Sequence, residues 1–175
     1  MEKFREQVKK YEKLLAKFIA DFDLPTEWFK VPDHLAVKGA DTKGFEELIA
    51  QFRPLSEQLS CIDMDGRRLA TAKLKEDIPV GKFGLVSWLE IMEPRPEKVG
   101  KDVVGLEHME FYYPDFAKAI KVLKDRGINY TMQENPGHAW INIVLNKQGQ
   151  ELKLNNQTLG YIVTKELATG ESQLI

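Results

Sequence analysis

The segment Glu107-His108-Met109-Glu110-Phe111 reads acid, His, apolar, acid, apolar. Upstream, Asp33-His34-Leu35-Ala36-Val37 opens with the same acid-His-apolar order. Two of the three histidines therefore stand at one position of an apparent repeat. Two imidazoles and a carboxylate are a recognised ligand set for a first-row divalent ion. If two copies of a module face each other, His34 and His108 meet across a pseudo-twofold axis, which is a metal-site geometry. Glu90 and Glu110 are both candidates for the carboxylate, with Glu93 a nearby rival. A strand histidine can also be a satisfied structural residue, and a buried Glu110 can be half of an ion pair with Lys153 or Lys73.

The elements that must carry these residues follow from periodicity. Residues 2–22 place Phe4, Val8, Tyr11, Leu14, Leu15, Phe18, Ile19 and Phe22 at steps of three and four, an amphipathic helix ahead of Pro25. That stripe suits packing on the core, and a homodimer through it is the other reading. His34 to Lys38 is a short strand. Asp41 or Thr42 can cap a helix whose stripe is Phe45, Leu48, Ile49 and Phe52, closed at Pro54. Gln58 to Met64, an Asp65-Gly66 turn and Arg67 to Leu74 read as a hairpin. Residues 75–82 read as a loop, and Leu85 to Met92 as a strand ending before Pro94.

After a polar linker over 95–104 the order repeats. Leu106 to Tyr112 is a strand, and Asp115 caps a helix burying Phe116, Ala119, Ile120 and Leu123. Gly127 follows as its terminating glycine. Ile128 to Met132, Trp140 to Leu145 and Glu151 to Asn155 are strands, with turns at Asn135-Pro136-Gly137 and Asn146 to Gly149. Residues 156–175 form an irregular or helical tail. The chain is thus an α+β protein of two β-α-β-β-β modules behind an N-terminal amphipathic helix. The expected division is 1–30 as a helical segment packing on the core, 31–96 as the first module and 104–175 as the second with its tail. All three parts belong to one compact domain.

A length of 175 residues, with 43% hydrophobic and 30% charged residues, supports an apolar core without staples. A formal net charge of −2 argues against a nucleic-acid partner. No apolar run approaches membrane-spanning length, and Met1-Glu2-Lys3-Phe4-Arg5 lacks the start of a signal peptide. With a single cysteine, Cys61, read as a small apolar residue, the expected compartment is the cytoplasm. No phosphate-cradling glycine loop, nucleophile elbow or cysteine-rich metal motif is present.

Several of these pieces carry a family resemblance. They are Asp33-His34, Asp65-Gly66-Arg67 with Lys73-Leu74, Glu90 ahead of Pro94-Arg95-Pro96, and Gly105-Leu106-Glu107-His108-Met109-Glu110 followed by Pro114. The late strand Leu152-Lys153-Leu154 completes them. Over roughly residues 30 to 165 the chain resembles the vicinal oxygen chelate superfamily of glyoxalase I, extradiol dioxygenases and bleomycin-resistance proteins, and within it the YecM-like branch. The resemblance implies that the paired modules curve into a cup-like mixed sheet with a divalent ion at its bottom. It implies His34, His108 and Glu90 as ligands of Fe, Mn, Ni or Zn, with Glu110 either catalytic or the ligand in place of Glu90. It also implies a Lewis-acid role in which adjacent substrate oxygens are chelated and an enolate is stabilised or dioxygen activated.

Alternation puts Trp88 with Glu90 on one face, and Glu151, Lys153 and Asn155 on another. Arg67, Lys73, Trp88, Lys153 and Asn155 are the substrate-binding candidates, although Arg67 and Lys73 are equally ordinary solvated residues and Trp88 and Trp140 ordinary core or wall. Glyoxalase-like members take a fourth ligand from the last strand of the second module, where this chain has Lys153. A protonated lysine has no lone pair to offer, so Lys153 suits an anionic substrate or a base. The expected activity is a metal-dependent isomerase, lyase or dioxygenase acting on a small oxygen-rich anion. The alternative is a non-catalytic small-molecule binder on the same fold. A third class is an interaction protein working through its N-terminal helix. His138 has no assigned role.

Overall fold

The structure, a computed structural model, describes residues 1–64, 66–135 and 137–175. Alternating strand patterns build one mixed sheet of nine strands among the described residues. In chain order they are β1 (Pro32–Lys38), β2 (Ser56–Met64), β3 (Arg67–Pro79), β4 (Leu85–Met92), β5 (Gly105–Tyr112), β6 (Thr131–Asn135), β7 (His138–Val144), β8 (Glu151–Asn155) and β9 (Gln173–Leu174). The helices are α1 (Glu2–Asp21), α2 (Thr42–Phe52), α3 (Phe116–Asp125) and α4 (Leu159–Thr169).

The spatial order β6-β7-β8-β5-β1-β4-β3-β2-β9 reads as two similar halves joined at β5 and β1. Within the halves β1 runs parallel to β4, and β5 parallel to β8. Across the joint β1 and β5 are antiparallel, pairing His34 with Glu110 and Ala36 with His108. An antiparallel joint between two copies of one motif places a twofold-like axis between the central strands. The pairings Ala36–Glu90 and Glu110–Lys153 then make Glu90 and Lys153 structural counterparts.

Alternation separates the two faces. Leu35, Leu89, Met109 and Leu154 join the main core with Phe45, Ile49 and Phe52 of α2 and Ala119 and Leu123 of α3. Phe4, Val8, Tyr11, Leu15 and Ile19 of α1 are buried in that same core. The other face carries His34, Glu90, His108 and Glu110. The concave side of the curved sheet therefore carries this buried polar cluster, and the convex side the main apolar core.

The caps follow their sequence signals. Asp41 accepts from the Gly44 N–H, and Asp115 from the Lys118 N–H. The turn expected at Asp65-Gly66 and the one at Asn135-Pro136-Gly137 each include a residue outside those described.

Two expectations are corrected. The segment 75–82, read as a loop, is strand as far as Pro79, because Ile78 and Pro79 pair with Val86 and Leu85 beyond an irregularity. The strand expected at Ile128 to Met132 begins only at Thr131. Gly127 takes φ +65°, and the Ile128 N–H donates to the Leu123 carbonyl, so Ile128 closes the end of α3. The tail folds as α4, capped by Thr158 and ended by Gly170 at φ +78°. It then adds β9 to the outer edge of β2.

Candidate metal centre

His34 and His108 enter the cup from the two central strands, and their rings meet edge to face with centroids 5.6 Å apart. Both are buried, at 3% and 0% exposure. Each is oriented by the acid that precedes it. His34 Nδ1 lies 2.9 Å from Asp33 Oδ2, and His108 Nδ1 lies 3.1 Å from Glu107 Oε2. An ionised carboxylate only accepts, so each Nδ1 carries the hydrogen and each Nε2 points into the cup.

His34 Nε2 is 3.8 Å from Glu110 Oε2, and His108 Nε2 is 3.8 Å from Glu90 Oε2. One donor atom from each of His34, Glu90 and His108 fits within a 4.8 Å span. Asp33, His34 and Glu110 meet the same criterion. The first group suits an ion better, because the second is already engaged. Asp33 Oδ2 also accepts from the Leu159 N–H at 2.8 Å, and Asn155 donates to Glu110. In contrast, His108 Nε2 is buried with no hydrogen-bond partner. A buried nitrogen left unsatisfied is costly unless something not yet bound completes it. Two neutral imidazoles and one carboxylate are a donor set for Fe, Mn, Ni or Zn.

Electrostatics divide the pair. Burial alone would lower the His34 pKa, but Glu110 and the Asp33 hydrogen bond outweigh it and push it up to about 9. Burial, reinforced by the nearby Lys153 charge, brings His108 down to about 4 against the opposing pull of Glu107. His108 is thus a neutral ring presenting a lone pair. His34 holds a proton favoured by the nearby Glu110 charge and must release it to ligate. Burial would raise Glu90, yet its charged neighbours, His34 first and with it Lys153 and Arg67, hold it below the usual carboxylate range. Burial raises Glu110 in spite of His34, Lys153 and Asn155. Two carboxylates in one cup are therefore pushed in opposite directions, the pattern of an acid–base division of labour.

Behind His108, Lys38 extends the support. Its ammonium, 5% exposed, donates to Glu107 and, at 2.8 Å, to Asp102 in the linker between the two halves. With His34, the residues Arg67, Glu90, Glu110, Lys153 and Asn155 line a cavity of about 390 Å³. Trp88 and Lys73 do not. Trp88 lies beneath α4, where a Cβ on Gly160 would come within 3.0 Å of its Nε1. Lys73 pairs with Glu57 at 3.1 Å, both about half exposed. Glu93, the rival ligand, is bound to Arg68 instead, with Arg68 Nε 3.0 Å from its Oε2.

His138, Asn142, Glu107 and Thr71 are among the cavity residues that carried no assignment from sequence. His138 opens β7 and stacks on Trp140 with centroids 4.8 Å apart. The signal for it was present, since His138, Trp140 and Asn142 alternate onto one face.

A model of the YecM family matches residues 1–167, almost the whole chain. The protein belongs to the YecM family. Its first helix lies within that match, beyond the region over which the sequence itself showed the resemblance. No curated protein matches the chain. Among solved structures, the structural-genomics protein EC4020 superposes with a TM-score of 0.78 at 19% identity, covering 94% of this chain and 92% of that one. A methylmalonyl-CoA epimerase in complex with methylmalonyl-CoA and NH4+ gives 0.51 at 20% identity, covering 72% and 93%. Glyoxalase I from Zea mays gives 0.50 at 13% identity, covering 74% and 43%. At these identities the likeness is one of fold alone, a glyoxalase-like fold.

Proposed function

We propose that this YecM-family protein is a metal-dependent enzyme of the vicinal oxygen chelate type, acting on a small, oxygen-rich anion. The observation that carries the reading is the buried, unpartnered Nε2 of His108, aimed with His34 and Glu90 at one point in the cup. His34, His108 and Glu90 hold the ion. When bound, it supplies Lewis acidity to adjacent substrate oxygens. The fold neighbours include an epimerase that binds methylmalonyl-CoA, which is consistent with small-molecule chemistry in such a cup.

The protein's own residues do the rest. Lys153 faces the cavity from the position that Glu90 takes in the other half, and among the described residues it has no ion-pair partner. It attracts and orients the anion. Glu110, held by Asn155, is placed to accept or return a substrate proton. The linker contact of Lys38 and the cap of Asp33 on α4 keep the two rings from turning.

The experiment is metal content per chain by plasma mass spectrometry, on protein purified without a metal-affinity column. About one equivalent is expected in the native chain. The His34→Ala/His108→Ala double variant is expected to retain none. Equal content in both proteins overturns the ligand assignment. A native chain that takes up no metal, even after incubation with Fe(II), Mn(II), Ni(II) and Zn(II), favours the second reading. That reading is a non-catalytic binder of small anions, and the lysine at the Glu90-equivalent position supports it.

A further inference from the structure

The twofold-like relation allows the lining of the cup to be compared residue by residue. The register pairs Leu69 with Met92 in the first half and Trp140 with Asn155 in the second. It pairs Ile62 with Leu69, and Gln133 with Trp140. Counterparts are therefore Leu69 and Trp140, Met92 and Asn155, Ile62 and Gln133. Two further pairs are Met64 with Asn135 and Thr71 with Asn142. All ten line the one cavity.

The exchange runs in one direction. At four of the five pairs the first half contributes an aliphatic or thioether side chain. At those four the second half contributes an amide or an indole. At the fifth, Thr71 spends its hydroxyl on Ser60 at 2.8 Å, whereas the Oδ1 of buried Asn142 has no partner. The cation at the ligand-equivalent position, Lys153, also belongs to the second half. The sixth pair, Arg67 and His138, is polar on both sides and adjoins the hairpin turns.

Packing shows the same division. Ala36, Leu69 and Met92, with Ile62 against them, form a small hydrophobic cluster separate from the main core and on the concave face. Helix α4 extends that wall with Leu159 and Ile162 and adds the carboxylate of Glu166, and Arg67 and Arg95 also line the cavity. Opposite stand Lys153, the free oxygen of Asn142 and the unpartnered buried Nε2 of His138. A cup with one apolar wall and one hydrogen-bonding wall imposes a direction on its ligand.

We infer that the ligand is an α-oxygenated carboxylate bearing an apolar side chain, with its carboxylate toward Lys153 and its side chain on Leu69, Met92 and α4. The inference rests on the proposed metal-binding function for the chelating oxygens. The division of the walls does not depend on it.

The test is titration calorimetry with the full chain in Zn(II)-supplemented buffer. Four probes share a size range: α-ketoisocaproate, pyruvate, α-ketoglutarate and isocaproate. α-Ketoisocaproate is expected to bind at least about tenfold more tightly than pyruvate, the gain for burying two or three carbons. It is also expected to exceed α-ketoglutarate, whose second carboxylate would meet the apolar wall. The Ile62→Gln variant, which gives the first half its counterpart's side chain, is expected to narrow the preference over pyruvate. Lys153→Gln is expected to weaken all four probes.

Pyruvate or α-ketoglutarate binding as tightly as α-ketoisocaproate overturns the inference, as does failure of every probe to bind. If α-ketoisocaproate and isocaproate bind equally, and equally well to the His34→Ala/His108→Ala variant, the two-walled cup stands and the metal reading falls. If the native chain holds zinc but shows no side-chain preference, the metal reading stands and this inference falls.

Discussion

At the residue scale, the site depends on side chains that never touch the cup's contents. Lys38 is the sharpest case. It is buried, and it offsets the charge of Glu107, which in turn fixes the His108 tautomer. Lys38→Met strands a carboxylate that is itself only 12% exposed. Removing one partner of a buried pair costs about 3 kcal/mol, and a lost supporting contact weakens a metal roughly tenfold. Urea denaturation and metal titration of the variant are expected to show both effects. The Lys38→Met/Glu107→Gln double variant is expected to recover stability but not affinity. Glu93 gives a pH prediction. Its hydrogen bonds from Arg68 hold its pKa at about 2, against an ordinary 4.5. A depressed carboxylate pKa stabilises the fold above the unfolded-state value, and that stability is lost as pH falls toward the folded one. Glu93→Gln is expected to cost roughly 1–2 kcal/mol at pH 7. The difference between variant and native protein should shrink between about pH 4.5 and pH 2, which urea titrations at stepped pH would measure.

At the element scale, α1 is bound to the sheet by more than its apolar stripe. The Tyr11 hydroxyl accepts from the Met109 N–H at 3.0 Å and donates to the Glu151 carbonyl, so one phenol joins β5 to β8. Tyr11→Phe leaves that N–H buried and unpaired, and is expected to cost about 1–3 kcal/mol in thermal or chemical unfolding. The elements were largely legible in the sequence, since helix stripes, caps and strand alternation are local signals. The exceptions have physical causes. Lys75-Glu76-Asp77 look like a loop because they are charged, yet β3 runs on at a sheet margin where charge is tolerated. Ile128 looks like the start of a strand because it is apolar and β-branched, but its N–H closes the end of α3 and its side chain joins the main core. The pairing of β9 on β2 joins residues more than a hundred positions apart, and no local pattern encodes that.

At the scale of the whole molecule, duplication made the proposed metal centre easier to read than the pocket. Repetition marked His34 and His108, because sameness at equivalent positions stands out. The two walls consist of differences at equivalent positions, such as Leu69 against Trp140, and these emerge only once the strand registers are known. His138 was passed over for this reason. It resembles a turn residue until the register makes it the counterpart of Arg67. Lys73 and Trp88 show the reverse. Alternation gives them the proper face, but the first pairs with the half-exposed Glu57 and the second is covered by α4.

One contact ties the far end of the chain to this centre. Asp33 Oδ2 is shared by the ring of His34 and the first amide of α4. Whatever firms up the imidazole firms up the helix, and thermodynamic reciprocity requires the converse. The C-terminal segment is then a built-in gauge of the centre's occupancy. Hydrogen–deuterium exchange of residues 159–169 is expected to slow when Zn(II) is added and to return when it is chelated. An Asp33→Asn chain, keeping a side-chain acceptor but not the charge, should lose most of that response. Trimming the tail by protease, far away in sequence, would act on the ion as a ligand substitution does.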